Sequence, residues 1–256
     1  MENTEIEEKI DTAAKWIAAS KHLVVFTGAG ISTESGLPDY RGPNGVWTRR
    51  DKGLPPPKMA KPWNEIEPNP AHYALVELQE MGILKFLISQ NVDNLHLKSG
   101  IKQEMIAELH GNRELLRCIK CKRLIKKKEV GWTYKRVPGY DTTLEIPGTH
   151  VCPYCNGRIV SSIVNFGDPL PEKELNNSIE HAKKCDVFFT IGTSLVVYPA
   201  ARLPAIAIQS GAKVILLNKG ETPYDDVVHL RISGNAEKIV PRIVEKVKQI
   251  RGLKIE

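Results

Sequence analysis

No apolar run in this 256-residue chain approaches the roughly 20 residues that a membrane-spanning helix needs. Nor does the N-terminal stretch show a charged segment followed by an apolar one, the pattern of a secretory leader. No membrane partner is therefore expected. Cysteine is scarce, with five residues, too few for a disulfide framework in a chain of this length. Four of them stand in metal-ligand spacing, which suits a reducing compartment, and a cytoplasmic location is expected. Internal repeats and low-complexity tracts are also missing. The length allows a substantial core, as one large domain or as a large domain carrying a smaller one.

What cysteine there is, is patterned. Cys118/Cys121 and Cys152/Cys155 form two Cys-x-x-Cys pairs with residues 122 to 151 between them. Two thiolates on each of two tight knuckles supply the tetrahedral set of a structural zinc site and leave no open position for a water. The metal is expected to hold a small module together and to take no part in chemistry. The competing reading is two unrelated pairs of buried cysteines. Cys152-Pro-Tyr-Cys155 also resembles a redox motif, but it follows a Pro/Gly-containing stretch and opens no helix. Cys185, at a helix-to-strand junction, reads as a buried, inert thiol.

Charge is distributed unevenly. From Arg113 to Arg136 ten Lys and Arg residues stand against Glu114 and Glu129, a surplus larger than the +6 of the whole chain. The cysteine module is thus a cationic lobe able to attract an acidic protein or nucleic acid, or else a solvated face. The stretch lacks the interleaved aromatics that base stacking requires.

Helical patterns alternate with short apolar strands, which predicts an α/β fold around a parallel sheet. Ile6, Ile10, Ala13, Ala14 and Ile17 trace one face of an opening helix. Strands are expected at Leu23–Thr27, Lys85–Ser89, Val187–Ile191 and Lys213–Leu217, the last ending in Asn218. Helices are expected over 71–81, 200–209 and 236–250. A Pro-rich loop, 37–70, and the cysteine insert of roughly 114–163 interrupt the alternation.

Three clusters carry chemistry. Strand Leu23–Thr27 runs into Gly28-Ala29-Gly30. Strand, Gly-x-Gly and then a helix is the geometry that seats a pyrophosphate on backbone N–H groups at a helix N-terminus. Thr33 occupies the third glycine position of that fingerprint, and no clear ribose-binding acid follows about 20 residues on. The continuation to Trp47, rich in Gly, Pro and polar groups, reads as a lid over a ligand. The second cluster, Ser89-Gln90-Asn91-Val92-Asp93-Asn94-Leu95-His96, sits at the C-terminal end of a strand, where α/β sheets bind ligands. Asn91 and Asp93 can project into one cleft, where an amide and a carboxylate together read a carboxamide. The third, Glu108-Leu109-His110-Gly111-Asn112, places a histidine where it can work as a general base near neutral pH. The histidines at 22, 72, 150, 181 and 229 read as structural.

These clusters, in this order and followed by the cysteines, resemble the sirtuins, the NAD-dependent protein deacylases. The resemblance runs from about Leu23 to Val247. It is carried by Gly-Ala-Gly-Ile-Ser with Pro-Asp-Tyr-Arg-Gly, Gln-Asn-Val-Asp-Asn-Leu-His, Leu-His-Gly, both cysteine pairs, Val164-Asn165-Phe166-Gly167-Asp168, Gly192-Thr193-Ser194-Leu195 and Leu217-Asn218. It implies a doubly wound, parallel-sheet NAD-binding domain made from residues 1–36, 84–113 and 164–256. A smaller zinc-ribbon and helical domain would comprise the cofactor loop and helical part, 37–83, and the zinc-binding module, 114–163. NAD would be a co-substrate and one structural zinc ion would be held per chain.

By the same resemblance His110 is the catalytic base, with Asn91 and Asp93 forming the pocket for nicotinamide and its ribose. Gly28, Ala29, Gly30, Thr33, Asp39, Tyr40, Arg41, Trp47, Gln90, Val92, Gly192, Thr193, Ser194, Asn218 and Ala236 complete the cofactor site. Val164, Asn165, Phe166 and Gly167 resemble a strand that pairs with an acylated-lysine peptide, and Val196 and Val197 supply the other edge, a form of strand addition. The implied reaction splits the nicotinamide–ribose bond and passes the acyl group from lysine to ADP-ribose. The stretches Gly45-Val-Trp-Thr and Phe86-Leu-Ile-Ser-Gln-Asn-Val-Asp resemble the branch with nuclear, chromatin-associated members, in which long-chain deacylation and mono-ADP-ribosyl transfer also occur. Tyr40 stands where phenylalanine is common in the family. No Tyr-x-x-Arg pair follows the lid, since Val76 stands three residues after Tyr73, which argues against selectivity for succinyl or malonyl groups. The alternative functions are a protein mono-ADP-ribosyltransferase using the same pocket and, from another class, a non-catalytic zinc protein that binds nucleic acid.

Overall fold

The computed structural model describes residues 2–59, 61–136 and 143–253. Part of the cysteine insert, 137–142, and the side chain of Arg136 in the basic stretch therefore lie outside the described residues. The elements in chain order are α1 (Glu2–Ala19), β1 (Leu23–Thr27), α2 (Val46–Asp51), α3 (Pro70–Glu80), β2 (Leu84–Ser89), α4 (Leu95–Ser99) and β3 (Ile106–Glu108). The cysteine module adds β4 (Leu115–Cys118), β5 (Leu124–Lys126), β6 (Thr133–Arg136), β7 (Thr143–Ile146) and β8 (Ile159–Ser161). The chain closes with α5 (Glu172–Lys184), β9 (Val187–Ile191), α6 (Leu203–Gln209), β10 (Lys213–Asn218), β11 (Leu230–Ser233) and α7 (Ala236–Ile250).

The central sheet has six parallel strands in the order β3-β2-β1-β9-β10-β11. β1 and β9 are buried at all five positions, as expected of strands covered on both faces. Helices α1, α3 and α7 cover one face, and α5 and α6 cover the other. α7 shows how sequence makes such a helix. The Asn235 side chain caps it by accepting from the Glu237 N–H, and Ala236, Ile239, Val240, Ile243, Val244 and Val247 recur on the buried side at helical spacing. The strand order reverses between β1 and β9, the switch point where such sheets bind ligands beyond their carboxyl ends.

The cysteine module is antiparallel: β5-β4-β8 form one sheet and β6–β7 a second ladder. Its own small core joins Leu116, Ile125, Val130 and Ile159 to Cys118 and Cys152.

Three expectations need correction. No α-helix follows Gly28-Ala-Gly: the chain makes two short 3-10 turns, Ala29–Ile31 and Thr33–Ser35, and Gly36 then turns left-handed at φ +96°. Pro38 and the glycines beyond keep the segment from continuing as a helix. The loop 37–70 is not structureless, since it holds α2 and a turn at Trp63–Glu65. The helix expected over 200–209 begins as a 3-10 turn, Ala200–Arg202, and becomes α-helical only at Leu203, where Pro204 fills a first-turn position that needs no N–H.

Candidate active site

The ends of β1 and β9 meet first. The Gly28 N–H donates to Ile191 O (3.0 Å) and the Gly30 N–H to Gly192 O (2.8 Å). A Cβ on Gly30 would lie 2.7 Å from Gly192 Cα, so these glycines are required by backbone meeting backbone. Gln90, just past β2, reaches across β1 to donate its side-chain amide to Thr193 Oγ1 (2.9 Å).

Asn91 and Asp93 converge on Ser32. The Asn91 amide donates to Gly28 O and to Ser32 Oγ, both at 3.2 Å. The Ser32 hydroxyl in turn donates to Asp93 Oδ2 at 2.7 Å, and the Leu95 N–H donates to Asp93 Oδ1 at 2.9 Å. Burial raises the Asp93 pKa, while those two hydrogen bonds and the charge of Arg113 oppose the shift. Sequence reasoning left out Ser32, although the Gly-Ala-Gly-Ile-Ser motif contained it. Two histidines back this cluster: His72, read as structural, has its Nε2 3.5 Å from Ser32 Oγ, and His96, from the second motif, has its Nε2 2.9 Å from Thr27 Oγ1. Burial pushes His72 down to about 3, so it is neutral here.

His110 follows β3. Its Nδ1 lies 2.8 Å from the backbone oxygen of Gln90. A carbonyl only accepts, so Nδ1 carries the proton and Nε2 keeps its lone pair. Burial lowers the His110 pKa below 6.5, and the Gln90 carbonyl works against that shift. Gly111 turns left-handed at φ +79°, and a Cβ there would also run into the Ser162 carbonyl, so only glycine fits. Glu108 is pushed up to about 8, chiefly by burial, and accepts from the Asn112 amide at 2.6 Å.

The remaining residues of the expected cofactor site have mostly local contacts. Thr33 Oγ1 donates to Gly30 O (3.2 Å), and Asp39 Oδ1 accepts from the Gly42 N–H (3.0 Å). Tyr40 stacks on Trp47 with ring centroids 6.0 Å apart, and Trp47 meets Phe166 edge to face at 5.4 Å. Arg41 is exposed and pairs with Asp51 at 3.7 Å. Val92 O accepts from the Arg113 N–H at 2.9 Å. Ser194 is half-buried in the turn after β9, Asn218 closes β10, and buried Ala236 opens α7. On the expected peptide side, Val164 donates its N–H to His110 O (3.0 Å). Neither 164–167 nor Val196-Val197 is a strand. Asp168 folds the first segment into a turn by accepting from the Asn165 N–H at 3.1 Å, and Val197 O is taken by the Ala201 N–H at 3.0 Å. Phe166 is 76% exposed and Val196 44%, so this side presents apolar surface.

The four cysteines of the two knuckles form one cluster. Their sulfurs all lie within 4.8 Å of one another, with Cys118–Cys155 at 3.5 Å and Cys121–Cys152 at 3.7 Å. A tetrahedron with Zn–S arms of about 2.3 Å has edges of about 3.8 Å, so the donor set fits zinc in identity, number and spacing. Cys185 stands apart, with burial raising its thiol to about 12.

The chain is similar to known proteins over nearly its whole length. The model of the Sir2 family matches residues 57–199. The chain is 40% identical to NAD-dependent protein deacylase 2 of Archaeoglobus fulgidus, across 97% of this chain and all of that one. A solved structure of Sir2Af2 bound to a myristoylated histone peptide is similar at 38% identity and a TM-score of 0.67, covering 96% of this chain and 99% of that one. A Sir2 homolog in complex with NAD is similar at 31% identity and a TM-score of 0.71, covering 94% of each chain.

Proposed function

The chain belongs to the Sir2 family, and from that premise we propose how its residues divide the work. The protein is an NAD-dependent protein lysine deacylase, and acyl-lysine proteins are its substrates. NAD, when bound, supplies the ADP-ribose that accepts the acyl group and the nicotinamide that leaves.

In this reading His110 is the base that takes up a proton at Nε2. The observation that carries the assignment is the 2.8 Å contact of its Nδ1 with Gln90 O, which fixes the tautomer a base needs. Asn91 and Asp93, oriented by Ser32, bind the carboxamide and ribose end of NAD. Gly28 to Gly30, Thr33, Gly192 to Ser194, Asn218 and Ala236 take the rest of the dinucleotide along the strand ends. Asp39 to Arg41 and Trp47 form the loop that closes over it and excludes water. Val164 to Gly167 and Val196-Val197 receive the peptide, becoming strand-like only when it pairs between them. The Trp47–Phe166 contact supports this, because it joins the closing loop to the peptide side.

The same reading divides the chain into an NAD-binding domain, 1–36, 84–113 and 164–256, and a small domain of two inserts, 37–83 and 114–163. The four cysteines hold one structural zinc ion and leave the reaction to the strand ends. Reduced thiolates suit a cytoplasmic setting, and no helix among the described residues is long and apolar enough to cross a membrane. The cationic module serves as a secondary contact for acidic partners or nucleic acid. Anisotropy titration with duplex DNA at several salt concentrations tests that contact, and no binding at low salt would remove it.

The deciding experiment is mass spectrometry of acetyl- and myristoyl-lysine peptides incubated with the protein, with and without NAD. Free lysine and O-acyl-ADP-ribose are expected only with NAD. NAD consumption with both peptides intact would overturn the deacylase assignment in favour of transfer to protein.

A further inference from the structure

Arg113 entered the sequence reading only as the first residue of the basic stretch, yet three parts of the molecule meet on it. Its N–H donates to Val92 O at 2.9 Å, and its own carbonyl accepts from the Tyr134 hydroxyl at 2.9 Å. Its guanidinium lies 4.1 Å from the ring centroid of Trp63 and 5.1 Å from that of Tyr134. Trp63 packs with Leu37, Ile66, Leu95 and Met59, so it belongs to the loop after the glycine turn. Tyr134 belongs to the cysteine module and is itself held by buried Lys127 at 3.1 Å. Only 16% of the Arg113 side chain is exposed.

We propose that Arg113 is a positioning residue for the NAD pocket, clamping Trp63 of the cofactor loop and Tyr134 of the cysteine module against the loop that carries Asn91 and Asp93. The inference rests on the deacylase reading for what the pocket holds. A planar guanidinium can stack on two rings at once, which an ammonium on a flexible stem cannot do. Its charge also favours the ionised form of buried Asp93. Losing the residue loosens two attachments and weakens that charge, all on the NAD side of the site. The peptide side, at 164–167 and 196–197, is held by other contacts.

The test compares Arg113→Met and Arg113→Lys with the parent protein. Direct NAD affinity is read by calorimetry, KM and kcat with both substrates by kinetics, and zinc content by elemental analysis. For Arg113→Met the Kd and KM for NAD are expected to rise about tenfold, the effect of losing two partly buried stacking contacts. The KM for acyl-peptide and kcat at saturating NAD should stay within about twofold, with zinc retained. Arg113→Lys restores charge without the stack, and about a threefold loss of NAD affinity is expected. Unchanged NAD affinity in either variant overturns the clamp, as does parallel loss of peptide affinity and zinc, which marks a general packing role. If Arg113→Met does not fold, the lysine variant decides alone. A parent protein without NAD-dependent acyl removal would sink the deacylase reading, while the NAD affinities would still test the clamp.

Discussion

His110 Nδ1 donates to the backbone oxygen of Gln90 at 2.8 Å, and the Gln90 side chain donates onward to Thr193 at 2.9 Å. One residue past β2 therefore sets the tautomer of the histidine beside β3 and ties it to the turn after β9. Because the acceptor on His110 is a main-chain carbonyl, no side-chain substitution at Gln90 removes it directly. The orientation of the base is built into the sheet.

Replacing His110 by alanine should lower kcat by about 10²- to 10⁴-fold, the range for loss of a general base. Zinc content and thermal midpoint should be near those of the parent, since the ring packs at the cleft and not in the core. Turnover within tenfold of the parent would remove His110 from the reaction.

The lowered pKa of His110 has a sign that kinetics can read. A base works while neutral, so depressing its pKa extends activity toward acid. The acid limb of kcat/KM is expected below pH 6.5, the ordinary histidine value. A limb above 6.5 would show that burial does not govern this ring.

Gly111→Ala should cost about 1–3 kcal/mol in denaturant unfolding. Its φ of +79° and the Ser162 carbonyl beside it leave an added methyl no room. Activity should fall with stability, because His110 is the neighbouring residue. Gly131→Ala makes the control: its φ is +72° but nothing lies within 4 Å of the position, so strain is felt there without collision.

Glu108 predicts a slope in stability against pH. An acid raised from 4.5 to about 8 on folding keeps its proton in the native state after the unfolded chain has lost it. Its stabilisation is complete below pH 4.5 and is lost as pH rises toward 8, by at most about 1.4 kcal/mol per unit. Glu108→Gln, which resembles the protonated acid, should flatten that slope while leaving the fold intact at pH 7. Equal slopes in the two proteins would count against a protonated Glu108.

Chelation of zinc, or Cys118→Ser, should unfold the small core of Leu116, Ile125, Val130 and Ile159, whose packing includes Cys118 and Cys152. Metal binding of this kind is folding free energy, about 10 kcal/mol or more at neutral pH. Far-UV circular dichroism should retain most of the helical signal from α1, α3, α5 and α7, while NAD affinity falls because Tyr134 no longer holds Arg113.

Much of this was legible in the sequence because burial leaves local traces. β1 and β9 are buried runs of apolar residues with one threonine each, Thr27 and Thr190, and α7 carries both a cap and a periodic face, so their limits read directly. β3 and β11 did not, because strands of three and four residues with one or two buried apolar side chains have no measurable period. α5 was obscure for another reason: its buried residues, Ser178 and Ala182, are small and make no apolar stripe. The site followed the same rule. His110, Asn91 and Asp93 stood in short motifs, whereas the Ser32–Asp93 bond spans 61 positions. The Arg113 stack depends on rings 50 residues before it and 21 after it, at Trp63 and Tyr134, so only the folded chain reveals it.

The pairing of α1 with α7 bears on how the chain is made. α1 packs on α7 and β11, and Glu7 and Asp11 pair with Arg242 and Lys246, 235 positions away. During synthesis the apolar face of Ile10, Ala13, Ala14 and Ile17 therefore emerges well before α7 and waits for more than 200 residues before its cover arrives. Contacts so distant in sequence close slowly, and an uncovered apolar helix is what holding chaperones bind. Cells that make this protein quickly will need such help at its first helix, and a ribosome-bound chain stopped before β11 should remain a chaperone client.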